Sequence, residues 1–474
     1  MPIGDTLGGF IRAGYNPLLV ADAPTIGTAD GESALGTTVS ITFTAPSDVG
    51  GGAITGYTAT ARDTVSGVTF AGTGASSPVT ITGLTEGQSY TVTVSATNAY
   101  GPSGGSAASN SFQAALALEL WMWGYNNKGQ LGQGNTTTYS SPVQVGALTD
   151  WLILAAGYIY STAIKTDGTL WAWGSGANGC LGLGNTTLYS SPVQVGALTT
   201  WLQLGSGEYH GGAIQTNNTL WSWGSNSSGQ LGVGNTTSYS SPVQVGALTD
   251  WLYLSSGYKF GIALKTDGTI WTWGKNEYGQ LGHGDTTTLS SPVQVGALTT
   301  WEAVSAGKYF VLAKKTDGTI WTWGNNNKGG LGQENTTDYS SPVQVGALTT
   351  WDVIHAGGQT QDGTCVVVKT DGTLWTWGSG EYGILGLGNT TNYSSPVQVG
   401  VLTTWSKVMA GNKFTHSIKT DGTIWSWGRN DRGQLGDGST TDKSSPVQIG
   451  ALTTWNTLPS TSTAQSTGMA IQLK

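Results

Sequence analysis

Four histidines, two cysteines and a scatter of acids are the residues here that could do acid–base, metal or nucleophilic chemistry. Their spacing supports none of it. His210, His283, His355 and His416 stand in four different copies of a repeat, mostly at different offsets, and no pair has the H-E-x-x-H spacing of a zinc site. The aspartates that recur, Asp167, Asp267, Asp317, Asp371 and Asp421, stand in Thr-Asp-Gly turns, which is a turn residue's place and not that of a paired carboxylate. No nucleophile elbow, phosphate loop or calcium loop is present. Cys180 and Cys365 occupy different places in their copies, so two free thiols are expected. Asn-Thr-Thr at Asn135, Asn185, Asn235, Asn335 and Asn389 fits the glycosylation sequon, but reads better as a loop bonding its own backbone. The expectation is a protein that is not an enzyme, with no cofactor and no metal.

The elements that would position such residues are written repeatedly. "SSPVQVGALTTW" runs from Ser190, Ser290 and Ser340, with near copies at Ser140, Ser240, Ser394 and Ser444. A catalytic set is needed once, so a phrase this faithful is architecture. "WxWG" begins at Trp121, Trp171, Trp221, Trp271, Trp321, Trp375 and Trp425, spaced by 50 residues five times and by 54 once. A third tryptophan follows each "ALT", so seven units of three account for all 21. Within a unit, "STAIKTDGTLWAWG" (Ser161 to Gly174) alternates through two strands joined by Asp-Gly, the preferred pair of a two-residue hairpin. "PVQV" and "WLILAAG" add two short strands. Four strands in about 50 residues, with Trp and Gly at fixed offsets, predict a propeller blade. The last unit stops at "GMAIQLK" (Gly468 to Lys474), just where the first begins with "LELWMWG" (Leu118 to Gly124). One blade stitched from both ends would close the ring and leave no free edge.

"AGYIYSTAIKTDGTLWAWGSGANGCLGLGNTT" resembles the regulator of chromosome condensation repeat, with its Asp-Gly, Trp-Gly and Gly-x-Leu-Gly signatures. The resemblance spans Leu116 to Lys474 and implies a seven-bladed β-propeller. The family's usual histidine corresponds to Tyr160, His210, Phe260, Phe310, Thr364, Phe414 and Thr467, so one of seven keeps it. No long insertion resembles the wedge by which the eukaryotic exchange factor attacks its small GTPase, and no basic tail precedes the repeats. Those activities are not carried over.

Ahead of the repeats, residues 24–113 alternate through several short strands in "TVSITFTAPSDVGGGAITGYTATARD" and "VTITGLTEGQSYTVTVSATNAYGPS", predicting a small β-sandwich. The segment resembles a fibronectin type III module, with Leu84 and Tyr90 at its tyrosine corner and Asn98 and Gly101 at its strand-end turn. The fold class is therefore all-β: an arm (1–23), a fibronectin type III-like sandwich (24–113) and a seven-bladed propeller (114–474).

Charged residues are only 10% of the chain and the formal charge is -8, which argues against phosphate neutralisation and so against nucleic acid. No apolar run is long enough for a membrane helix, and the N-terminus lacks the pattern of a Sec signal. Function is then sought where copies differ, because variable loops on a fixed scaffold build binding surfaces. The loop after each "AG" turn nominates Tyr209, Lys259, Tyr309 and Lys413 as surface contacts. The longest such loop adds Gln359, Thr360, Gln361 and Asp362. Phe260 and Phe310 are expected inside their blades. In the arm, Phe10, Ile11, Tyr15, Leu18, Leu19 and Val20 offer apolar surface for docking onto a larger assembly.

Near-identical repeats, low charge and a leading fibronectin-like module together resemble tail, fibre or decoration proteins of bacteriophage. The expectation is a virion component joined to other virion proteins by its arm, presenting the propeller to a host surface glycan or protein, with homo-oligomers open. Alternatives are a secreted bacterial adhesin, extracellular or on the cell surface, and an intracellular propeller regulating a small GTPase.

Overall fold

The computed structural model describes residues 19–27, 34–35, 37–114, 116–358, 362–462 and 466–474. The chain separates into two compact units, Met1–Ala117 and Leu118–Lys474. Among the described residues no helix is long and apolar enough to cross a membrane.

In the first unit, Ser89–Asn98 alternates strictly, burying Tyr90, Val92, Val94 and Ala96 while the intervening residues stay half-exposed. That period of two fixes one face to the core. Ser89–Asn98 pairs with Gly56–Asp63, which pairs with Thr69–Gly74, and a second sheet joins Ala34–Leu35, Thr38–Ile41 and Val79–Thr82. The tyrosine corner is formed: Thr85 N donates to Tyr90 Oη at 2.9 Å beside buried Leu84. One stretch of edge has an unforeseen cover. Ser103, Ser106 and Ser109 accept the N–H groups of Ala96, Val94 and Val92 at 2.9 to 3.0 Å, while their own N–H groups donate back to those residues' carbonyls. A serine every third residue thus satisfies a backbone edge that would otherwise invite another strand.

The second unit has seven blades. Six are contiguous, each of four antiparallel strands: Trp151–Ala156, Tyr160–Lys165, Leu170–Gly174 and Tyr189–Gln194 form the first. The pattern recurs from Trp201, Trp251, Trp301, Trp351 and Trp405. The seventh is stitched from both ends. Leu118–Gly124 pairs with Thr467–Leu473 over seven residues, from Leu118 opposite Leu473 to Gly124 opposite Thr467. The Ser-Pro step lies in the fourth, outermost strand, where a missing N–H can face solvent.

Three tryptophans and a lysine make the core of a blade. Trp151 meets Trp171 and Trp173 edge to face at 6.1 and 5.9 Å, and Lys165 Nζ lies 5.0 and 4.5 Å from the rings of Trp151 and Trp171. Lys265, Lys315, Lys369 and Lys419 repeat the arrangement. A desolvated cation–π contact contributes up to about 2 kcal/mol, so this buried lysine is structural. The second indole of each "WxWG" reaches the neighbouring blade: Trp173 Nε1 donates to Gln130 O at 2.9 Å and Trp223 Nε1 to Cys180 O at 2.9 Å. The following glycine of "LG" lies under that indole; a Cβ at Gly132, whose φ is +71°, would come within 3.0 Å of Trp173 Nε1.

The first strands of the blades lie innermost and bond sideways through side chains. Ala306 N donates to Ser255 Oγ at 3.0 Å and Ala356 N to Ser305 Oγ at 2.9 Å. The seventh blade breaks this pattern. Its inner strand, Trp455–Thr457, stops before Pro459, and the chain crosses the central channel. There Ser460 N donates to Leu154 O at 3.0 Å, Ser460 Oγ to Leu204 O at 3.3 Å, and Tyr253 Oη to Ser460 O at 3.3 Å. Thr461–Ser462 then pairs parallel with Ala155–Ala156. Leu458–Ser462 thus plugs the channel.

Deleting Gly468–Lys474 should lower the melting temperature sharply, since it removes buried Met469 and Ile471, at about 1.5–3 kcal/mol each, and opens the ring. An unchanged melting curve by circular dichroism would refute closure through the termini. Trp223→Phe should cost about 1–3 kcal/mol in urea titration, because it strands the carbonyl of Cys180.

Candidate functional site

Strand register sorts the propeller's connections onto two faces. Tyr160 lies opposite Gly174, so the turn before the second strand and the loop after the third emerge together, on what is here the loop face. The Thr-Asp-Gly turns emerge at the opposite, hairpin face. There the chemistry is repeated and consumed. Asp167 Oδ1 accepts from Thr169 N at 2.9 Å and Thr169 Oγ1 at 2.6 Å, and Thr169 Oγ1 accepts from Trp171 Nε1 at 2.8 Å. The same bonds hold the carboxyls of Asp267, Asp317, Asp371 and Asp421 below the usual aspartate value. These acids lock turns and are not poised for proton transfer.

The long connections on the loop face share an internal frame. Asn126 Nδ2 donates to Asn135 O and Thr137 O at 3.1 and 2.9 Å, and its Oδ1 accepts from Leu131 N at 2.9 Å. Asn226 repeats all three bonds, while Asn276 and Asn326 repeat the first and last. The Asn-Thr-Thr triplets close on themselves as expected: Asn135 Oδ1 accepts from Thr137 N at 2.8 Å while its amide donates to Tyr139 Oη at 3.2 Å.

On this frame the non-repeating side chains gather. Tyr209 contacts Tyr158 with ring centroids 5.9 Å apart, and Tyr309 contacts Tyr258 and Tyr278 at 5.3 and 5.1 Å. Lys308 Nζ lies 4.3 Å from the Tyr258 ring and Lys259 Nζ 5.4 Å from it. Lys275 pairs with Glu277 at 2.8 Å. Desolvation pushes the Glu208 carboxyl up and, with Glu208 beside it, the Tyr258 hydroxyl up to about 12. Tyr209, Lys259, Tyr309 and Lys413 are all half-buried, whereas Phe260 and Phe310 are inside their blades. Sequence reasoning missed the preceding position of the loop: there Tyr158 meets Tyr209, and Tyr258 and Lys308 meet Tyr309. The variable triplets "YIY", "EYH", "YKF" and "KYF" contained that signal.

Lys413 belongs to a second group. Its Nζ lies 2.8 Å from Glu381 and 5.0 Å from the Tyr382 ring, and Arg429 Cζ lies 5.1 Å from the same ring. An open groove of about 820 Å³ runs here, lined by residues including Lys328, Asp362, Glu381, Tyr382, Asn392 and Asp442. Of the expected long-loop contacts, Asp362 reaches this groove; Gln359, Thr360 and Gln361 lie outside the described residues. Phe10, Ile11, Tyr15 and Leu18 also lie outside them. Leu19 and Val20 are half-exposed on the sandwich unit, where Leu19 O accepts from Asn98 Nδ2 and Gly51 N, each at 2.8 Å.

The histidines and cysteines are packing residues. Both thiols are free and buried, with burial pushing that of Cys180 up to about 12. His283 is half-buried, with Nε2 3.0 Å from Thr272 Oγ1. His355 Nδ1 accepts from Ala410 N at 3.1 Å, the place that serine holds in neighbouring blades. Burial lowers His210 and His355 to about 4 and His416 to about 3. Among the described residues no three His, Cys, Asp or Glu gather to hold a metal. A histidine kept neutral in the fold contributes stability above its unfolded value near 6.5, and that contribution is lost as pH falls toward 4. Glu208, with its raised carboxyl, opposes this at the lower end. The melting temperature should therefore fall between pH 6.5 and 4. His355→Ser, retaining an acceptor for Ala410, should flatten that fall; an identical pH profile would refute the assignment.

The model of the RCC1-like domain matches residues 89–361, that of the regulator of chromosome condensation (RCC1) repeat matches 371–418 and 421–458, and that of the fibronectin type III domain matches 22–112. No curated protein sequence matches the chain. Among solved structures, yeast (Saccharomyces cerevisiae) Prp20p, which binds Gsp1p and histones, has a TM-score of 0.68 at 18% identity, covering 76% of this chain and 92% of its own. Human WBSCR16 has a TM-score of 0.67 at 20% identity, covering 76% of this chain and 99% of its own. At such identities the likeness is one of fold. With the RCC1-like domain model spanning more than half its length and seven blades stapled by tryptophan, the chain belongs to the RCC1-like propeller family, with a fibronectin type III domain at its N-terminus.

Proposed function

We propose that this chain is a non-enzymatic binding protein whose propeller presents its loop face to a partner, carried on the surface of a bacteriophage particle. One observation carries the binding reading. On a scaffold repeated almost verbatim, a group of tyrosines, lysines and acids that do not repeat gathers on the loop face. Tyrosine and arginine are enriched among residues that dominate binding energy at interfaces. The display reading rests on the low charge, the faithful repeats and the fibronectin type III domain in front. In it, the segment before Leu19 docks onto other virion proteins, and the partner is a host surface protein or glycan.

A second reading, a propeller regulating a small GTPase, draws on the likeness to Prp20p, which binds Gsp1p. Against it, the seven repeats differ in length by only four residues over most of the ring, leaving little to insert into a partner.

Tyr209→Ser combined with Tyr309→Ser should leave the melting temperature nearly unchanged and weaken attachment to host cells at least tenfold, about 1.4 kcal/mol. Undiminished attachment would overturn the loop-face reading. A chain beginning at Leu19 keeps the Asn98 contact, so it should fold and yet be missing from purified particles by mass spectrometry. Its normal incorporation would refute docking through the preceding segment.

A further inference from the structure

The geometry points to a neutral, hydroxyl-rich oligosaccharide as the ligand of the groove between Lys328, Tyr382 and Asp442, an assignment that rests on the loop-face reading above.

The groove's volume of about 820 Å³ lies within the range of ligand clefts, about 300–1,000 Å³. Its lining is chiefly polar: hydroxyls from Ser379, Tyr382, Thr390 and Ser444, an amide from Asn392, carboxylates from Asp362, Glu381 and Asp442, and the Lys328 ammonium. Several of these groups are fixed before any ligand arrives. Asn392 Oδ1 accepts from Gly380 N at 2.9 Å, and Asp442 Oδ1 from Asn430 N at 2.7 Å. Glu381 is held by Lys413 at 2.8 Å.

Charge decides among ligand classes. Lys328 and Lys413 stand against Asp362, Glu381 and Asp442, a balance of one negative charge, while Arg429 and Arg432 share Asp431 at 2.7 and 3.8 Å. A phosphate or sulfate would meet a net negative wall whose nearby cations are mostly paired. A basic peptide would have to displace Lys413 from Glu381. The acids do not form a cation site, since no metal-holding group of three exists among the described residues. A chain of hydroxyls, each both donor and acceptor, matches carboxylate, amide and hydroxyl partners without adding charge.

The repeat supplies its own control. Tyr382 sits at φ +60° in the turn Ser379-Gly380-Glu381-Tyr382, and Asn178 at φ +58° in Ser175-Gly176-Ala177-Asn178. The backbones coincide: a Cβ at Gly380 would lie 2.0 Å from Thr391 O, and one at Gly176 would lie 2.2 Å from Thr187 O. Glu381→Ala, Tyr382→Asn and Asn392→Leu together therefore rewrite the groove wall as its sister blade, which has Ala177, Asn178 and Leu188.

Maltotetraose, cellotetraose, chitotetraose and tetralysine serve as probes for saturation-transfer NMR and calorimetry on the full chain. At least one of the three saccharides should bind, and the triple variant, with its melting temperature unchanged, should bind it at least tenfold more weakly. Binding of no saccharide, equal binding by the variant, or preference for tetralysine would overturn the assignment. Host attachment lost with the Tyr209 and Tyr309 substitutions while no saccharide binds would leave the loop-face reading standing and remove this one.

Discussion

One hydrogen bond, made seven times, organises the propeller: an indole N–H reaching across to a loop carbonyl of the preceding blade. Six of these bonds join positions 43 or 47 residues apart, and the seventh, Trp123 Nε1 to Gln434 O at 3.0 Å, joins positions 311 apart. The contact ties a large apolar surface to a directional bond, so it fixes both the spacing and the angle of neighbouring blades. Much of the repeat follows from it. The "LG" glycine must be bare where the indole lies, and the third tryptophan must stand edge-on to hold its neighbours in place. A polar "TDGT" turn then satisfies the remaining half-exposed indole through its threonine. Trp121 shows the dependence by exception. Its blade has chain ends where the hairpin would be, and its buried N–H has no partner among the described residues.

The ring is nearly symmetric except where it closes. Seven paired residues join Leu118–Gly124 to Thr467–Leu473, so neither is left as an edge, but the last inner strand leaves its blade after Thr457. Pro459 there cannot donate to a ladder, and Ser460 bonds the inner strands of other blades instead. The channel is consequently filled by Leu458 to Ser462, bonded to three different blades.

The propeller's two faces differ in kind. The hairpin face spends aspartates and threonines on the same turn bonds in five blades, with Asn217 as the acceptor in another, which leaves little to distinguish one partner from another. The loop face keeps a constant frame of asparagines while the residues projecting from it vary. Its tyrosines and lysines are half-buried against each other, and therefore partly ordered before binding, which lowers the entropy a partner must overcome. A polar groove with a small negative balance lies on the same face.

Periodic and local features were legible in the sequence. Asp-Gly placed the hairpins, the complementary ends announced closure, and Leu84 with Tyr90 gave the tyrosine corner, because each depends on neighbours in the chain or on a pattern that repeats. The free, buried cysteines and the self-bonded Asn-Thr-Thr loops followed for the same reason. The assembled sites did not follow. Tyr158 meets Tyr209, and Lys413 meets Glu381, across a blade boundary, and Ser460 bonds Leu154 from more than 300 positions away. Sequence alone therefore determined the blade, its count and its turns, since those are set by short-range backbone preference and burial period. Only the closed ring decided which loops became neighbours, because curvature brings together residues whose separation along the chain encodes no contact between them.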